Sequence, residues 1–226
     1  MKTVKLTPHL IQLTKFRTMN AYLVREDDGF TLIDTMMRAA KQLAAAADAG
    51  GTPIRRIALT HAHRDHIGSL DKLRELLGAD IPVLLSEADA SILSGQLPRP
   101  ARGSWPKKLA TRPDVLLADG DTVGSLEVVA SPGHTPGHVA FIDTRDRSLI
   151  AGDAFSTLGG TAVPNHPHWR FPLVWMGTAD RPGAVASARK LRELEPSLLA
   201  VGHGRAISQP LAEMNAAIAA AARYNG

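Results

Sequence analysis

Short apolar runs separated by turn residues dominate the first third of the chain. Met19 to Arg25 and Phe30 to Ile33 flank Glu26-Asp27-Asp28-Gly29, and an Asp-Gly pair between two strand-like runs predicts a hairpin. Asp34 and Thr35 end the second run. From Met37 to Ala47 the residues Met37, Ala40, Leu43, Ala44 and Ala47 recur at helical spacing, and Gly50, Gly51 and Pro53 supply the stop. Ile54 to Leu59 predicts the next strand. Ile67, Leu70, Leu73, Leu76 and Leu77 then mark one face of a helix that Gly78 closes. Val83 to Leu85 reads as a short buried strand, and Ser86 followed by Asp89 forms a capping pattern that predicts a helix start.

Val115 to Leu117, Leu126 to Ala130, Val139 to Asp143 and Leu149 to Ala151 predict further strands. A helix from about Asp180 to Leu194, a strand from Leu198 to Val201 and an alanine-rich helix from about Leu211 to Arg223 close the pattern. Strands and helices interspersed in both halves predict helices covering sheet faces, and this many strands require two sheets. The class is therefore α/β. Even composition across 226 residues predicts one domain, 1–226, without short-period repeats.

Composition narrows the chemistry. The hydrophobic content of 44% and charged content of 21% are those of a globular protein rather than a disordered one. No window reaches the roughly 18 to 20 apolar residues of a membrane span, and Met1 to Leu13 carries lysines and a proline instead of a signal-peptide core. These features predict a cytoplasmic protein with no membrane partner. The absence of cysteine removes disulfides, thiolate nucleophiles and sulfur ligands, so any metal must be held by histidine and carboxylate.

Net charge is +4 and the pI about 9.6, yet the basic residues are scattered and aromatics make up only 4%. That gives little material for a nucleic-acid stacking surface, and a mildly anionic substrate accounts for the charge as well. The densest basic stretch, Arg99 to Arg112, is broken by Pro100, Gly103 and Pro106. It reads either as a solvated loop or as a flap facing the substrate.

Residues 60 to 70 read THAHRDHIGSL, with three histidines and an aspartate in six positions at the end of a predicted strand. In extended geometry His61 and His63 point the same way and can reach one ion, while Asp65 and His66, where the chain turns helical, can diverge toward a second. Asp65 also suits a helix cap, but capping explains none of the histidines. Further donors follow other predicted strands: His134 and His138 in SPGHTPGH, Asp153 in LIAGDAF and His203 in LLAVGHG. Each alone is an ordinary turn residue. Together they place a donor past several strands, the pattern of a site built on a sheet edge.

This set, HxHxDH followed by a lone His, an Asp and a final His, resembles the metallo-β-lactamase superfamily of metal-dependent hydrolases, from Asp34 through His203. The resemblance implies a four-layer αββα sandwich. It implies that His61, His63 and His134 bind one metal, that Asp65, His66 and His203 bind a second, and that Asp153 bridges them. Zinc suits such a site, and iron or manganese fits its N/O donors too. Asp34 and His138 fall at positions that support ligands from behind. The implied chemistry is hydrolysis by a metal-bound hydroxide, with Asp65 as the catalytic group that orients it and passes a proton to the leaving group.

Substrate is less legible. Only 23 residues, Gly204 to Gly226, follow His203, which weakens a glyoxalase II-like reading that expects a helical extension. Lactonases of the family commonly use a tyrosine between the bridging Asp and the last His, and the two tyrosines here are Tyr22 and Tyr224. A small ester, thioester or lactone-like substrate is expected. A mononuclear-iron persulfide dioxygenase and an inactive metal-binding scaffold are the alternatives. The segment Phe155 to Gly177, rich in proline and aromatics between two ligands, is expected to border the pocket. Asn165, His166, His168 and Arg170 are candidate donors there, and Trp169, Phe171 and Trp175 candidate walls. The same aromatics leave room for a homodimer.

Overall fold

In the computed structural model, which describes residues 1–224, the first four strands pair as an antiparallel meander: β1 (Lys2–Lys5), β2 (Leu10–Lys15), β3 (Met19–Glu26) and β4 (Gly29–Ile33). β1 escapes sequence detection because its one apolar residue, Val4, leaves no alternation, as befits an exposed edge strand. Helix α1 (Ala40–Ala49) carries the chain over to β5 (Ile54–Ala58), which pairs parallel with β4. Helices α2 (Arg64–Ile67) and α3 (Leu70–Leu77) lead to β6 (Val83–Ser86), and α4 (Glu87–Ser94) precedes β7 (Val115–Leu117); both strands extend the sheet in parallel. Seven strands thus line up in chain order.

The second sheet begins with β8 (Thr122–Val123), β9 (Leu126–Ala130), β10 (Val139–Asp143) and β11 (Ser148–Ile150), all antiparallel. A short 3-10 turn, α5 (Leu173–Gly177) and α6 (Arg181–Glu193) intervene before β12 (Leu198–Ala200), which lies parallel to β11. β13 (Ile207–Ser208) closes that edge and α7 (Leu211–Ala222) follows. No helix among the described residues is long and apolar enough to cross a membrane.

Strands that are apolar on both faces decide the layering. In β3, Ala21 and Leu23 join α1 and α3 in one buried cluster, while Tyr22 and Val24 join a second cluster between the sheets. In β10, Phe141 points into that inter-sheet cluster, and Ala140 and Ile142 meet α6 and α7 in a third. The alternation of successive side chains therefore produces three cores and four layers, an αββα sandwich.

Three local expectations change. Helix α1 starts at Ala40 rather than Met37, because Met36 and Arg38 adopt left-handed φ values of 54° and 53°. The helix after the motif is two helices, broken at Gly68-Ser69, where the Ser69 hydroxyl accepts from the Ala39 N–H at 2.7 Å. Helix α4 starts where expected, but Asp89 does not cap it. Its buried carboxylate instead accepts from the Ala62 N–H, the Gly137 N–H and the Thr135 hydroxyl at 2.8–2.9 Å, tying together the two loops that carry His61 and His134.

Candidate metal centre

The donors converge because the ends of β5, β9, β11 and β12 meet at one edge of the sandwich. Asp34, just past β4, has a φ of 61°, a conformation that Asp tolerates better than most residues. Its carboxylate accepts from the Thr60 N–H (2.9 Å) and hydroxyl (2.8 Å) and faces His66 Nδ1 at 2.7 Å. Asp34 thus holds the start of the histidine motif and its last histidine at once.

Three groups of donors gather within 4.8 Å: His61, His63 and His134; His61, His66 and Asp153; and Asp65, His66 and His203. The bond network assigns tautomers. The Thr60 hydroxyl gives its proton to Asp34, so it accepts from His61 Nδ1 at 3.0 Å and leaves Nε2 as the free lone pair. Thr178 donates to the Val174 carbonyl and accepts from His134 Nδ1 at 2.9 Å, with the same result for His134. His203 Nδ1 donates to the Thr18 carbonyl at 2.7 Å. His63 turns Nδ1 to within 2.9 Å of His134 Nε2, so these two ring nitrogens face a common point. Such outer hydrogen bonds fix ring orientation and raise the basicity of the nitrogen left for a cation.

Asp153 stands between the groups. Its Oδ2 lies 3.3 Å from both His134 Nε2 and His203 Nε2, and its Oδ1 lies 3.4 Å from His66 Nε2. Gly202 packs so tightly that a Cβ there would come within 2.1 Å of Asp153 Oδ1. His138 has no nitrogen to spare: Nε2 accepts from the Asp153 N–H at 3.0 Å and Nδ1 donates to the Ser131 hydroxyl at 2.9 Å. It steadies the Asp153 backbone and takes no place among the converging donors.

Electrostatics divide the cluster. Burial pushes His61 and His134 well below the ordinary histidine value, helped for His61 by His66 and the neighbouring rings, and it brings His63 and His138 to about 4. Burial would depress His66 and His203 too, but Asp153 with Asp34 holds His66 well above its usual value, and Asp153 with Asp65 raises His203 to about 10. The same histidines outweigh burial to keep Asp65 and Asp153 below the usual carboxylate range. His61 Nε2 and Asp153 Oδ1 are buried without a hydrogen-bond partner. Nitrogen and carboxylate donors left unpaired and aimed together fit a divalent cation and have no better protein partner.

A cavity of about 660 Å³ opens over the cluster, with His63, Asp65, His134, Asp153 and His203 on its floor. Phe16, Met19, Met37, Phe171, Leu173, Val174 and Met176 make its walls, and Arg64 is the one arginine or lysine that lines it among the described residues. Gly103 and Ser104 also line it, so part of the Arg99–Arg112 stretch faces the site. The Ser104 carbonyl accepts from the Arg64 N–H at 2.6 Å and the Trp105 ring meets His63 edge-on at 5.2 Å. Gly103 has a φ of 96°, and a Cβ there would sit 2.0 Å from His63 Nε2, so only glycine permits this approach.

The six polar and tryptophan candidates of the 155–177 segment lie elsewhere. Asn165 is buried and donates to the Ala221 carbonyl at 2.8 Å; His166 bonds Asn165 and stacks on Tyr224 with ring centroids 4.2 Å apart. His168 and Trp175 border a separate narrow cleft, and Trp175 lies under the Arg181 guanidinium. Arg170 lies over Trp169, which is 81% exposed. Helical spacing explains the substitution. Within α5, Leu173, Met176 and Gly177 share the face toward the cavity and Trp175 turns away, a distinction invisible while the segment reads as irregular loop. Neither tyrosine lines the cavity, since the Tyr22 hydroxyl donates to the Val201 carbonyl at 2.7 Å in the core.

Comparison with known proteins agrees with this geometry. Residues 15–203 match the profile of the metallo-beta-lactamase superfamily. The uncharacterized protein YobT of Bacillus subtilis (strain 168) is 41% identical over 218 residues, 92% of this chain and 93% of the relative. The hydroxyacylglutathione hydrolase GloC of Haemophilus influenzae is 28% identical over 166 residues, 69% of this chain and 76% of its own. Among solved structures, TTHA1623 in a di-iron-bound form superposes with a TM-score of 0.65 at 30% identity, covering 93% of this chain and 96% of that one.

Proposed function

The chain belongs to the metallo-β-lactamase superfamily, and on that premise we propose that it is a cytoplasmic, dinuclear metal-dependent hydrolase of a small ester, thioester or lactone-like substrate. The observation that carries this reading is the position of Asp153, equidistant at 3.3 Å from a histidine of each donor group, with Asp65 beside it on the cavity floor. His61, His63 and His134 would hold one ion and Asp65, His66 and His203 the other, with Asp153 placed where it could serve both. When bound, two such ions lower the pKa of a water and polarise a substrate oxygen. Zinc is the proposed metal, and the di-iron form of TTHA1623 makes iron the alternative.

The chain's own residues supply the rest. Asp65 Oδ2 lies 3.3 Å from His203 Nε2, which holds the carboxylate ionised where it can take the water's proton and return it to the leaving group. The wall of Phe16, Met19, Met37 and α5 side chains excludes water from an apolar acyl group. Thr18, Arg64 and Ser104 are the polar residues that line the cavity beside its floor, and the lack of a tyrosine hydroxyl for a lactone carbonyl favours an open-chain ester or thioester.

Metal analysis of the purified protein, joined to a hydrolysis panel of lactones, thioesters, β-lactams and phosphodiesters, tests this. Two ions per chain and turnover of an ester or thioester are expected. One iron per chain with oxygen uptake, or full metal loading without turnover of any member, would overturn it.

A further inference from the structure

A second cavity of about 810 Å³ adjoins the metal-centre cavity. Lys2, Lys15, Arg17 and Arg205 line it, and no aspartate or glutamate does. None of these four cations forms an ion pair among the described residues. No carboxylate among the described lining residues answers these four positive charges, and Lys15 Nζ donates to the neutral Arg38 carbonyl, so their natural complement is a polyanion. Gln12, Thr14 and Thr157 add neutral polar groups to the same walls.

The two cavities are joined through the chain itself. Phe16 lines both. Phe16 and Arg17, in the turn between β2 and β3, have left-handed φ values of 52° and 63°, an uncommon and strained state for side chains of this size. The next residue, Thr18, lines the metal-centre cavity and holds His203 through its carbonyl, while Gly204 and Arg205, directly after His203, line the cationic cavity. Adjacent Cα atoms lie only about 3.8 Å apart, so the two spaces lie side by side, within the reach of one extended molecule that passes the Phe16 side chain.

We propose that the second cavity is a phosphate-binding subsite, and that the substrate is a thioester whose thiol portion carries phosphate groups, its acyl group resting in the apolar cavity over the metal centre. The inference rests on the hydrolase reading and narrows it. Water adds its oxygen to the acyl carbon as the C–S bond breaks, the departing thiolate takes the water's proton, and a carboxylic acid and a free phosphorylated thiol leave. No oxidant or reductant is consumed.

The test uses the metal-loaded protein, coenzyme A as the phosphorylated thiol, and acetyl-coenzyme A against S-acetylpantetheine, which keeps the thioester and its pantetheine arm but lacks the phosphates and the adenosine. The unmodified protein is expected to favour the phosphorylated thioester at least about tenfold in kcat/KM, through KM, in line with one or more charge-assisted hydrogen bonds. R17Q/R205Q is expected to bring that preference toward one and to weaken calorimetric binding of coenzyme A, and R205Q alone to fall between. The charge-matched K72Q/R189Q, on exposed helix positions away from both cavities, keeps the preference. Hydrolysis of both thioesters without preference removes the subsite and leaves the hydrolase standing. Coenzyme A binding that R17Q/R205Q abolishes, with no hydrolysis of either thioester, keeps the phosphate site and removes the thioesterase. Equal binding by the parent protein and R17Q/R205Q overturns the proposal.

Discussion

His61, His63 and His134 are held neutral while His66 and His203 are held charged, although all five rings belong to one cluster. The first three are buried among other imidazoles, and the pull of Asp153, joined by Asp65 at His63, does not offset desolvation. The second two meet Asp34, Asp65 and Asp153 at short range. Without a cation, the second group satisfies itself by ion pairing. The first is left with unprotonated nitrogens, and His61 Nε2 has no partner at all. A cation thus completes one group and competes with protons in the other, which is how one shared carboxylate can serve two unlike sites.

Substituting the shared group should give the largest effect. Asp153→Ala, like chelation of the metals, is expected to abolish turnover and lower the metal content of both groups, as element analysis beside a rate assay would show. A variant that kept one full group and most of its activity would dissolve the idea of a bridge. Asp65→Ala, touching only the second group, should lose about 10²- to 10⁴-fold in turnover while the first group still binds an ion. Near-parental rates at normal metal content would remove Asp65 from the chemistry.

The orienting hydrogen bonds should matter less. Asp34→Asn, which reaches His66 directly and His61 through Thr60, and Thr178→Val, which reaches His134, should each cost about 10- to 100-fold in metal affinity. Asp34→Asn should be the worse of the two, because a carboxylate-imidazolium bond is stronger than a hydroxyl-imidazole one. Equal losses would mean that charge does not distinguish the groups.

In the metal-free protein, stability should respond to pH in opposite directions. His63 and His138, held near 4, contribute stability that is intact above the unfolded value of about 6.5 and is lost as pH falls toward 4. His203, raised to about 10, contributes stability that is complete below about 6.5 and is lost as pH rises through 10. Thermal melts should therefore peak between these limits, and His203→Gln should weaken the alkaline limb, leaving the share that His66 contributes. Trp169→Ala marks the small end of the scale: at 81% exposure it should change stability by no more than about 0.5 kcal/mol and leave turnover as it was.

The donors themselves were legible because each lies in a short motif at the end of an apolar run, and a strand's period of two fixes which neighbours share a face. The hydrophobic alternation also announced the two sheets and the helices that cover them. Asp89 shows where that logic stops. Three residues after Ser86 it looks like half of a capping box, yet its partners are Ala62, Thr135 and Gly137, the last two more than 40 residues away in sequence. Asp34 and His66, His134 and Thr178, and Thr18 and His203 are pairs of the same kind, separated by 32, 44 and 185 positions.

By itself, then, the sequence determined the strands, their ends and the donor-bearing motifs beyond them, because periodicity and local spacing are short-range properties of the chain, and its resemblance to a known family implied the four layers and the seven ligands. Tertiary structure decided which nitrogen of each histidine is free, which rings are charged, and which face of α5 meets the cavity. It also brought Lys2, Arg17 and Arg205 around one space, residues that no motif connects. Those outcomes depend on contacts between segments far apart in the chain, and only packing of the two sheets sets their distances.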